Sequence, residues 1–398
     1  MESVKNIQKV SDSRHCSGCG ICVAVCPADA ISMQSSPIGR MFASANDRCI
    51  DCGLCLKACP SASLEEITRT PDNHFSEVWI GRSADKEIYR NGQSGGCATA
   101  LLKDLFDRKA IDGAIVCRTD FSEGRPEAYP VIVTTPDELA QCQKSCYTPV
   151  PLLTVLRRAE NYGSLAIVGL PCHLKALTKL QALSPKFRNV RYKLGLVCDT
   201  QLSAGITDFL VPHTEGKRKI VFRAKGMGGY GYKDAPVALV KENGDAVFIP
   251  KDRRMALKNL FSPSRCRICP DKLNASADIV LGDPWGMKGG DMLGGDNVIA
   301  VRTQAGVEWL HSARENGAVL CTCECKEEEL LQGQHIPQRL HQVEAYYKVM
   351  KGERFPGDKD YRNNLALIRK MESGSRFVLA LEVHKALLKS RLKKLLSR

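Results

Sequence analysis

Eight cysteines fall between positions 16 and 59 in two runs, CSGCGICVAVCP (16–27) and CIDCGLCLKACP (49–60), each spaced C-x2-C-x2-C-x3-C-P. Thiolates this close together can wrap one iron–sulfur cubane if the chain between them turns tightly. Gly18, Gly20 and Gly53 supply the turns and leave backbone N–H groups free to point at sulfur. The fourth cysteine of each run lies a helical turn further on and, with two cubanes, ligates the other one. The expected sets are Cys16, Cys19, Cys22 and Cys59 for one 4Fe-4S cluster, and Cys49, Cys52, Cys55 and Cys26 for a second. Pro27 and Pro60 end the runs. Zinc is the rival metal, but it favours separated C-x2-C pairs over four cysteines in one short run.

Four further cysteines sit beside apolar runs. Cys172 follows SLAIVGL in GLPCH, Cys198 ends YKLGLVC, and Cys266 and Cys269 form a C-x2-C in SRCRICPDK just ahead of ADIVLGD. On spacing alone two readings stand: a third 4Fe-4S cluster, or two buried free thiols and an unrelated turn. NGQSGG, Asn91–Gly96, runs directly into the helix-like GCATALLKDLFDRK. Glycines at a helix start leave N–H donors for an anion or a flavin phosphate, and equally describe a plain capped loop. No G-x-G-x-x-G stands at a strand–helix junction, and there is no Ser-His-Asp set, helical H-E-x-x-H or P-loop. Nicotinamide, hydrolase and NTPase chemistry are therefore not expected.

These residues have to be held by alternating elements. Segments 110–118, 129–134, 164–170, 192–198, 219–225 and 277–283 read as strands, and GCATALLKDLFDRK, TPDELAQCQK and LLTVLRRAENY read as helices. The pattern predicts an α/β (α+β) fold: a two-cluster domain over 1–70, a mixed-sheet domain over 75–350, and a helical basic extension over 351–398. Cys321, Cys323 and Cys325 alternate in AVLCTCECKEE and on a strand share one face, as a fourth metal site or as packed thiols. Cys97 is expected to be a small packed thiol. Residues 376–398 carry seven Lys/Arg and one Glu, with Leu and Val at three- and four-residue steps. That is an amphipathic helix suited to a membrane surface or to docking on the body or a partner subunit.

The whole chain has 398 residues, with 57 Lys+Arg against 44 Asp+Glu and a formal net charge of +13, and 43% of it is apolar. This is globular composition, enough for two or three domains. The first seventy residues balance seven basic against seven acidic side chains, so the excess lies elsewhere. Nineteen cysteines is an odd number, and MESVKNIQKVSDSRH has no apolar export core. The expectation is a cytoplasmic protein whose thiolates hold metal. No apolar run nears the ~18–20 residues of a membrane helix, and no aromatic stacking pattern suggests a nucleic-acid partner.

Residues 10–65 resemble bacterial-type two-cluster ferredoxins, which implies a compact pseudo-symmetric module carrying single electrons. Over roughly 79–350, the stretches NGQSGGCATALL, IDGAIV, KSCY, VGLPC, GLVC, VFRAKGMGGYGY, C-x2-C-P-D…ADIVLGDPWG and GDNVIAVRT occur in the order of another family. They resemble the beta subunits of coenzyme F₄₂₀ hydrogenase and dehydrogenase, and the fusion resembles the F₄₂₀H₂ dehydrogenase input subunit. The resemblance implies FAD beside a 4Fe-4S cluster whose ligands become Cys172, Cys198, Cys266 and Cys269. It departs at His173, where the family commonly has Gln, and at GDPWG, which leans toward relatives that reduce other metabolites. His173 is expected to tune the centre or give a proton as a catalytic group, or else to pack as a hydrogen-bonded ring.

A flavin joins hydride carriers, which exchange electron pairs, to clusters, which pass single electrons. Ser94, Gly95 and Gly96 are the expected flavin contacts. Lys144, Arg223 and Lys225 are expected to neutralise flavin or coenzyme charge, and Asp283 and Trp285 to close the pocket; solvated charges and an ordinary turn are the alternatives. The expected function is an iron–sulfur flavoprotein oxidoreductase that relays electrons, through FAD, between ferredoxin or a redox partner subunit and a hydride carrier such as F₄₂₀. The rivals are a ferredoxin-dependent FAD reductase of an organic metabolite (polysaccharide-pathway or tetrapyrrole-like) and a non-catalytic electron-transfer subunit.

Overall fold

The computed structural model describes residues 6–123, 125, 128–210, 216–291 and 293–396. The first five residues of the expected N-terminal domain and the last two of the expected basic helix lie outside that set.

Each cysteine run turns into a short helix, Ile21–Val25 or Leu54–Ala58, entered through Gly20 and Gly53 at φ of 84° and 71°. Between the runs β1 (Ile31–Ser35) and β2 (Met41–Ala45) form an antiparallel hairpin. The core of this module is small: Ile7, Val10, Ile31 and Ala43 pack with Cys22, Cys55 and Cys59. Sulfur therefore makes up much of the interior that so short a segment can build.

The body adds β3 (Glu77–Ser83), β4 (Gly113–Thr119), β5 (Ala128–Val133), β6 (Leu165–Gly169), β7 (Val190–Leu196), β8 (Arg218–Val221), β9 (Val237–Lys241), β10 (Ala246–Ile249), β11 (Ile279–Gly282), β12 (Asn297–Val301) and β13 (Val319–Glu324). Eight of these form one sheet in the order β13-β3-β12-β11-β7-β6-β4-β5. Its centre, β11-β7-β6-β4, is parallel, and antiparallel strands flank it on both sides. Strands β6 and β12 are almost wholly buried, as their unbroken LAIVG and NVIAV runs require of a sheet covered on both faces. Helices Cys97–Asp107 and Gln304–Glu315 cover one face through Leu101, Leu105, Trp309 and Leu310. Helix Pro171–Leu183 and the 152–161 segment cover the other through Leu153, Leu156, Leu174 and Leu177. A separate three-stranded sheet, β10-β9-β8, packs with helices Lys251–Phe261 and Arg376–Leu396.

All six expected strands form, and the mixed α/β sheet is as anticipated. Two local readings differ. Segment 152–161 is a 3₁₀ helix, not an α-helix. Leu153, Leu156 and Ala159, three apart and fully buried, line one edge of a helix with three residues per turn. Strand β13 carries a bulge between Cys321 and Cys323, which breaks the alternation that would put three cysteines on one face. Cys321 packs into the core beneath Trp309, whereas Cys323 and Cys325 pack into the core on the other face.

The N-terminal module is packed onto the body along its cysteine loops. The Leu153 N–H donates to the Cys19 carbonyl at 3.0 Å, the Lys179 ammonium to the Cys59 carbonyl at 2.8 Å, and Arg157 to the carbonyls of Val23 and Cys26. Gly20 abuts Thr154 and Pro151: a Cβ there would lie 2.7 Å from Thr154 Cγ2 and 2.8 Å from the Pro151 oxygen. Its counterpart in the second run, Gly53, has the same backbone conformation and nothing within 4 Å. Gly53→Ala should cost only the left-handed backbone penalty, about 1–2 kcal/mol. Gly20→Ala should add an overpacking cost of about 1–3 kcal/mol and loosen the docked module. Thermal unfolding together with limited proteolysis between residues 60 and 75 measures both; equal behaviour of the two variants would show that the contact does not matter.

Candidate functional site

The four groups of sequence-selected residues are brought together in three places. In the module, burial and then the neighbouring thiols of Cys19, Cys16, Cys59 and Cys55 push the Cys22 thiol well above its usual range. Cys59, from the second run, is raised in the same way, by burial and then by the Cys19 and Cys16 thiols. The other set, Cys26, Cys49, Cys52 and Cys55, lines a single small cavity. Backbone N–H groups of Gly18, Ala30 and Ser61 point at Cys16, Cys26 and Cys59 sulfur at 3.3–3.4 Å, and the Asn6 amide at Cys49. Such donors stabilise thiolate, not thiol.

Cys172, Cys198, Cys266 and Cys269 line one cavity of about 30 Å³ at the junction of body and module, together with Cys16 and Arg40. Cys172 starts the helix after β6, Cys198 follows β7, and the C-x2-C leaves the turn at Ser264–Arg267. Burial, then the thiols of Cys266, Cys172 and Cys269, hold Cys198 far above the usual range. Fully buried thiols of this kind ionise only if positive charge is placed among them, which is what a metal centre supplies. Arg265 adds some: burial opposes its charge, but Cys269, Cys172 and Cys266 raise its pKa nonetheless. Cys19 is near enough to Cys172 to affect its ionisation. Among the described residues no group of three or more His, Cys, Asp or Glu is placed to hold one metal ion. A cubane of four irons spreads its thiolates more widely than a single ion does.

A second cavity, of about 1120 Å³, opens beside the first, and Cys198, Asp199, Thr200, Gln201, Cys266 and Arg339 belong to the walls of both. Ser94, Gly96, Lys144, Arg223, Asp283, Trp285 and His173 all line it. Its wall carries nine lysine and arginine side chains against two aspartates. Arg223 forms an ion pair with Asp283 at 2.7 Å and lies over the Tyr232 ring at 4.8 Å, and Tyr232 stacks on Trp285 with centroids 5.7 Å apart. The result is one aromatic and ionic wall. Arg254 lies over Tyr147 at 5.1 Å, and its buried Nε finds no partner. Arg254 as a whole lines the cavity, and a guanidinium there is a fitting anchor for an anion.

Two expected cofactor contacts do not face this space. Gly95 is pressed against β3 and β12, where a Cβ would lie 2.8 Å from the Gly81 oxygen and from Asn297. Lys225 stands behind the loop, its ammonium donating to the carbonyls of Tyr89 at 2.9 Å and Ser94 at 2.5 Å. Burial, with Lys144 and Arg223 nearby, lowers its pKa to about 8. Lys225 thus fixes the loop that forms the cavity wall. The expected proton-donor role of His173 also needs correction. Burial pulls its pKa down to about 4, so the ring is neutral. The Leu170 N–H approaches Nδ1 at 3.3 Å, which assigns the proton to Nε2, and that buried atom has no partner.

Several wall residues escaped the sequence reading. Gln93 ties three segments together, donating to the Arg223 carbonyl at 2.9 Å while its oxygen accepts from the Ser145 N–H at 3.2 Å. The Asn297 amide donates to Ser94 Oγ at 2.8 Å and its oxygen accepts from the Cys97 N–H. Gln93, Asn297 and Tyr232 lie inside NGQSGG, GDNVIAVRT and VFRAKGMGGYGY, so the motifs held a signal; nothing in the KDRRMALK segment singles out Arg254.

Residues 78–157 and 162–325 match the two domains described as coenzyme F₄₂₀ hydrogenase/dehydrogenase beta subunit, N-terminal and C-terminal, and residues 15–64 match a 4Fe-4S dicluster domain. The beta subunit of the coenzyme F₄₂₀ hydrogenase of Methanococcus voltae is 26% identical over 63% of this chain and 85% of its own length. A subunit of the F₄₂₀H₂ dehydrogenase of Methanosarcina mazei is 25% identical over 77% of this chain and 84% of its own. A chain of the F₄₂₀-reducing NiFe hydrogenase complex from Methanosarcina barkeri shares the fold, with a TM-score of 0.51 and 22% identity over 68% of this chain and 89% of that one. With a dicluster module ahead of both matched domains, the chain belongs to the family of coenzyme F₄₂₀ hydrogenase/dehydrogenase beta subunits.

Proposed function

We propose that this chain relays electrons between one-electron carriers that meet its dicluster module and a two-electron hydride carrier, F₄₂₀ or a coenzyme like it, that enters the large cavity and exchanges with FAD bound there. The observation that carries the reading is the shared wall: Cys198 and Cys266 border both the four-cysteine cavity and the cationic one. A bound FAD supplies the exchange between paired and single electrons. The chain's own residues hold and insulate it. Arg254 and Lys144 meet phosphate or carboxylate charge. The Ser94–Gly96 turn, fixed from behind by Lys225, keeps a close backbone surface. The Arg223–Asp283 pair holds Tyr232 and Trp285 against the cavity. Neutral His173, whose Nδ1 accepts from the Leu170 N–H, does not act as an acid at pH 7.

Cys172, Cys198, Cys266 and Cys269 would hold a third 4Fe-4S cluster, with the module's two sets beyond it. Cys16 of the module borders the same cavity as Cys172, which supports a continuous line from module to body. The names of the relatives point the same way: subunits of F₄₂₀ hydrogenase, of F₄₂₀H₂ dehydrogenase and, in Methanocaldococcus jannaschii, an F₄₂₀-dependent sulfite reductase.

Anaerobically prepared protein should contain about twelve iron atoms and about one FAD per chain, and Cys198→Ser about eight iron atoms with the module intact. A colourless or zinc-bearing protein would overturn the reading. Reduced F₄₂₀ should bleach the flavin absorbance, and failure with flavin present would rule out F₄₂₀ as the donor. Arg254→Ala should weaken flavin retention by about tenfold or more, measured as the flavin dissociation constant. His173 has a folded pKa of about 4 against 6.5 in the unfolded chain. Its contribution is complete above pH 6.5 and is lost as pH falls toward 4, up to about 3 kcal/mol. His173→Gln, which keeps a donor, should flatten that part of the acid limb in unfolding titrations; an unchanged limb would remove His173 as its source.

A further inference from the structure

The helix Arg376–Leu396 has two apolar faces, and only one is used by the fold. Leu379, Val383, Ala386 and Leu387 pack against the core formed with helix Lys251–Phe261. On the opposite side Phe377, Leu381, Leu388, Leu392 and Leu395 are exposed, 79% for Phe377 and 69% for Leu395. At 3.6 residues per turn these five fall within a sector of about 60°. Lys385 and Lys389 border that stripe on one side, and Arg391 and His384 on the other; all four are exposed. The helix has one acidic side chain, Glu382, and its carboxylate is occupied by Lys370 at 2.9 Å and Lys385 at 3.2 Å. From Arg391 to Leu396 every side chain the structure describes is exposed, so the last turns overhang the body.

We propose that this helix is an in-plane anchor that seats the protein on an anionic lipid surface. A leucine stripe flanked by cations on both sides, with low overall hydropathy, is the pattern of a helix lying at a membrane interface. The stripe sinks among the acyl chains while the flanking lysines and arginine meet acidic headgroups. No helix among the described residues is long and apolar enough to cross a membrane, so attachment would be to one leaflet. A flat lipid surface accommodates long, flexible leucine side chains without the shaped groove that a protein partner would need. The charge balance, almost wholly cationic, matches acidic headgroups over the length of the helix. The four-cysteine cavity lies among other elements, so anchoring leaves the electron path unobstructed.

Full-length protein sedimented with phosphatidylcholine vesicles containing about a third phosphatidylglycerol should be retained, and retained about tenfold less by pure phosphatidylcholine. The double variant Leu388→Glu/Leu392→Glu should lose about tenfold or more of that binding, and Lys389→Glu/Arg391→Glu should lose it together with the salt dependence. All four positions are exposed, so an unchanged unfolding midpoint separates a lost surface from a lost fold. Absence of vesicle binding by the intact chain, or equal binding by Leu388→Glu/Leu392→Glu, would overturn the proposal. So would a helix that leaves vesicles untouched and is captured by an acidic protein subunit.

Discussion

Parallel pairing of β4, β6, β7 and β11 puts the carboxyl ends of these strands on one edge of the sheet, and several of the body's site residues are suspended from that edge. Cys172 follows β6, Cys198 follows β7, and Asp283 follows β11. Strand β3, antiparallel to β12 and so aligned with β11, delivers the Asn91–Gly96 turn to the same side. Ligand sites gather where the strands of an open parallel sheet end, because the loops there are free to diverge while the strands beneath them are fixed. The same constraint explains why residues separated by two hundred positions, such as Ser94 and Asn297, bond to each other.

The second feature that organises the molecule is buried sulfur. Burial holds the Cys172 and Cys198 thiols at the junction of module and body above their usual range, while the Arg265 guanidinium pulls Cys172 the other way, toward thiolate. The module is held by carbonyls of its own cysteine loops, those of Cys19, Cys26 and Cys59. Docking and ligand geometry are thus set by the same few residues, and a change that shifts one shifts the other.

Much of this was legible in the sequence, for reasons that differ by residue. The cysteine runs are local, and spacing alone fixes how they can turn. The strand after which Cys172 falls is a continuous apolar run whose type is set by both-face burial. What was not legible depends on approach in space. Arg254 meets Tyr147 from a helix a hundred residues away, and Gln93 joins three loops. Lys225 reads like a ligand-facing cation but is turned inward by two carbonyls. Gly95 reads like its neighbours, yet lies on the side pressed to the sheet. Apolar periodicity distinguished helix from strand at 152–161 but did not reveal that a step of three, not 3.6, was being used.

The bulge in β13 has a meaning beyond the cysteines it separates. β13 and β5 are the outermost strands of the eight-stranded sheet, where unpaired backbone groups invite recruitment of a neighbouring chain. One border is twisted out of register by the extra residue, and the other carries Pro130, which has no N–H to offer. A protein crowded with its own kind can then remain unassociated along both rims, and its encounters are left to surfaces other than the sheet.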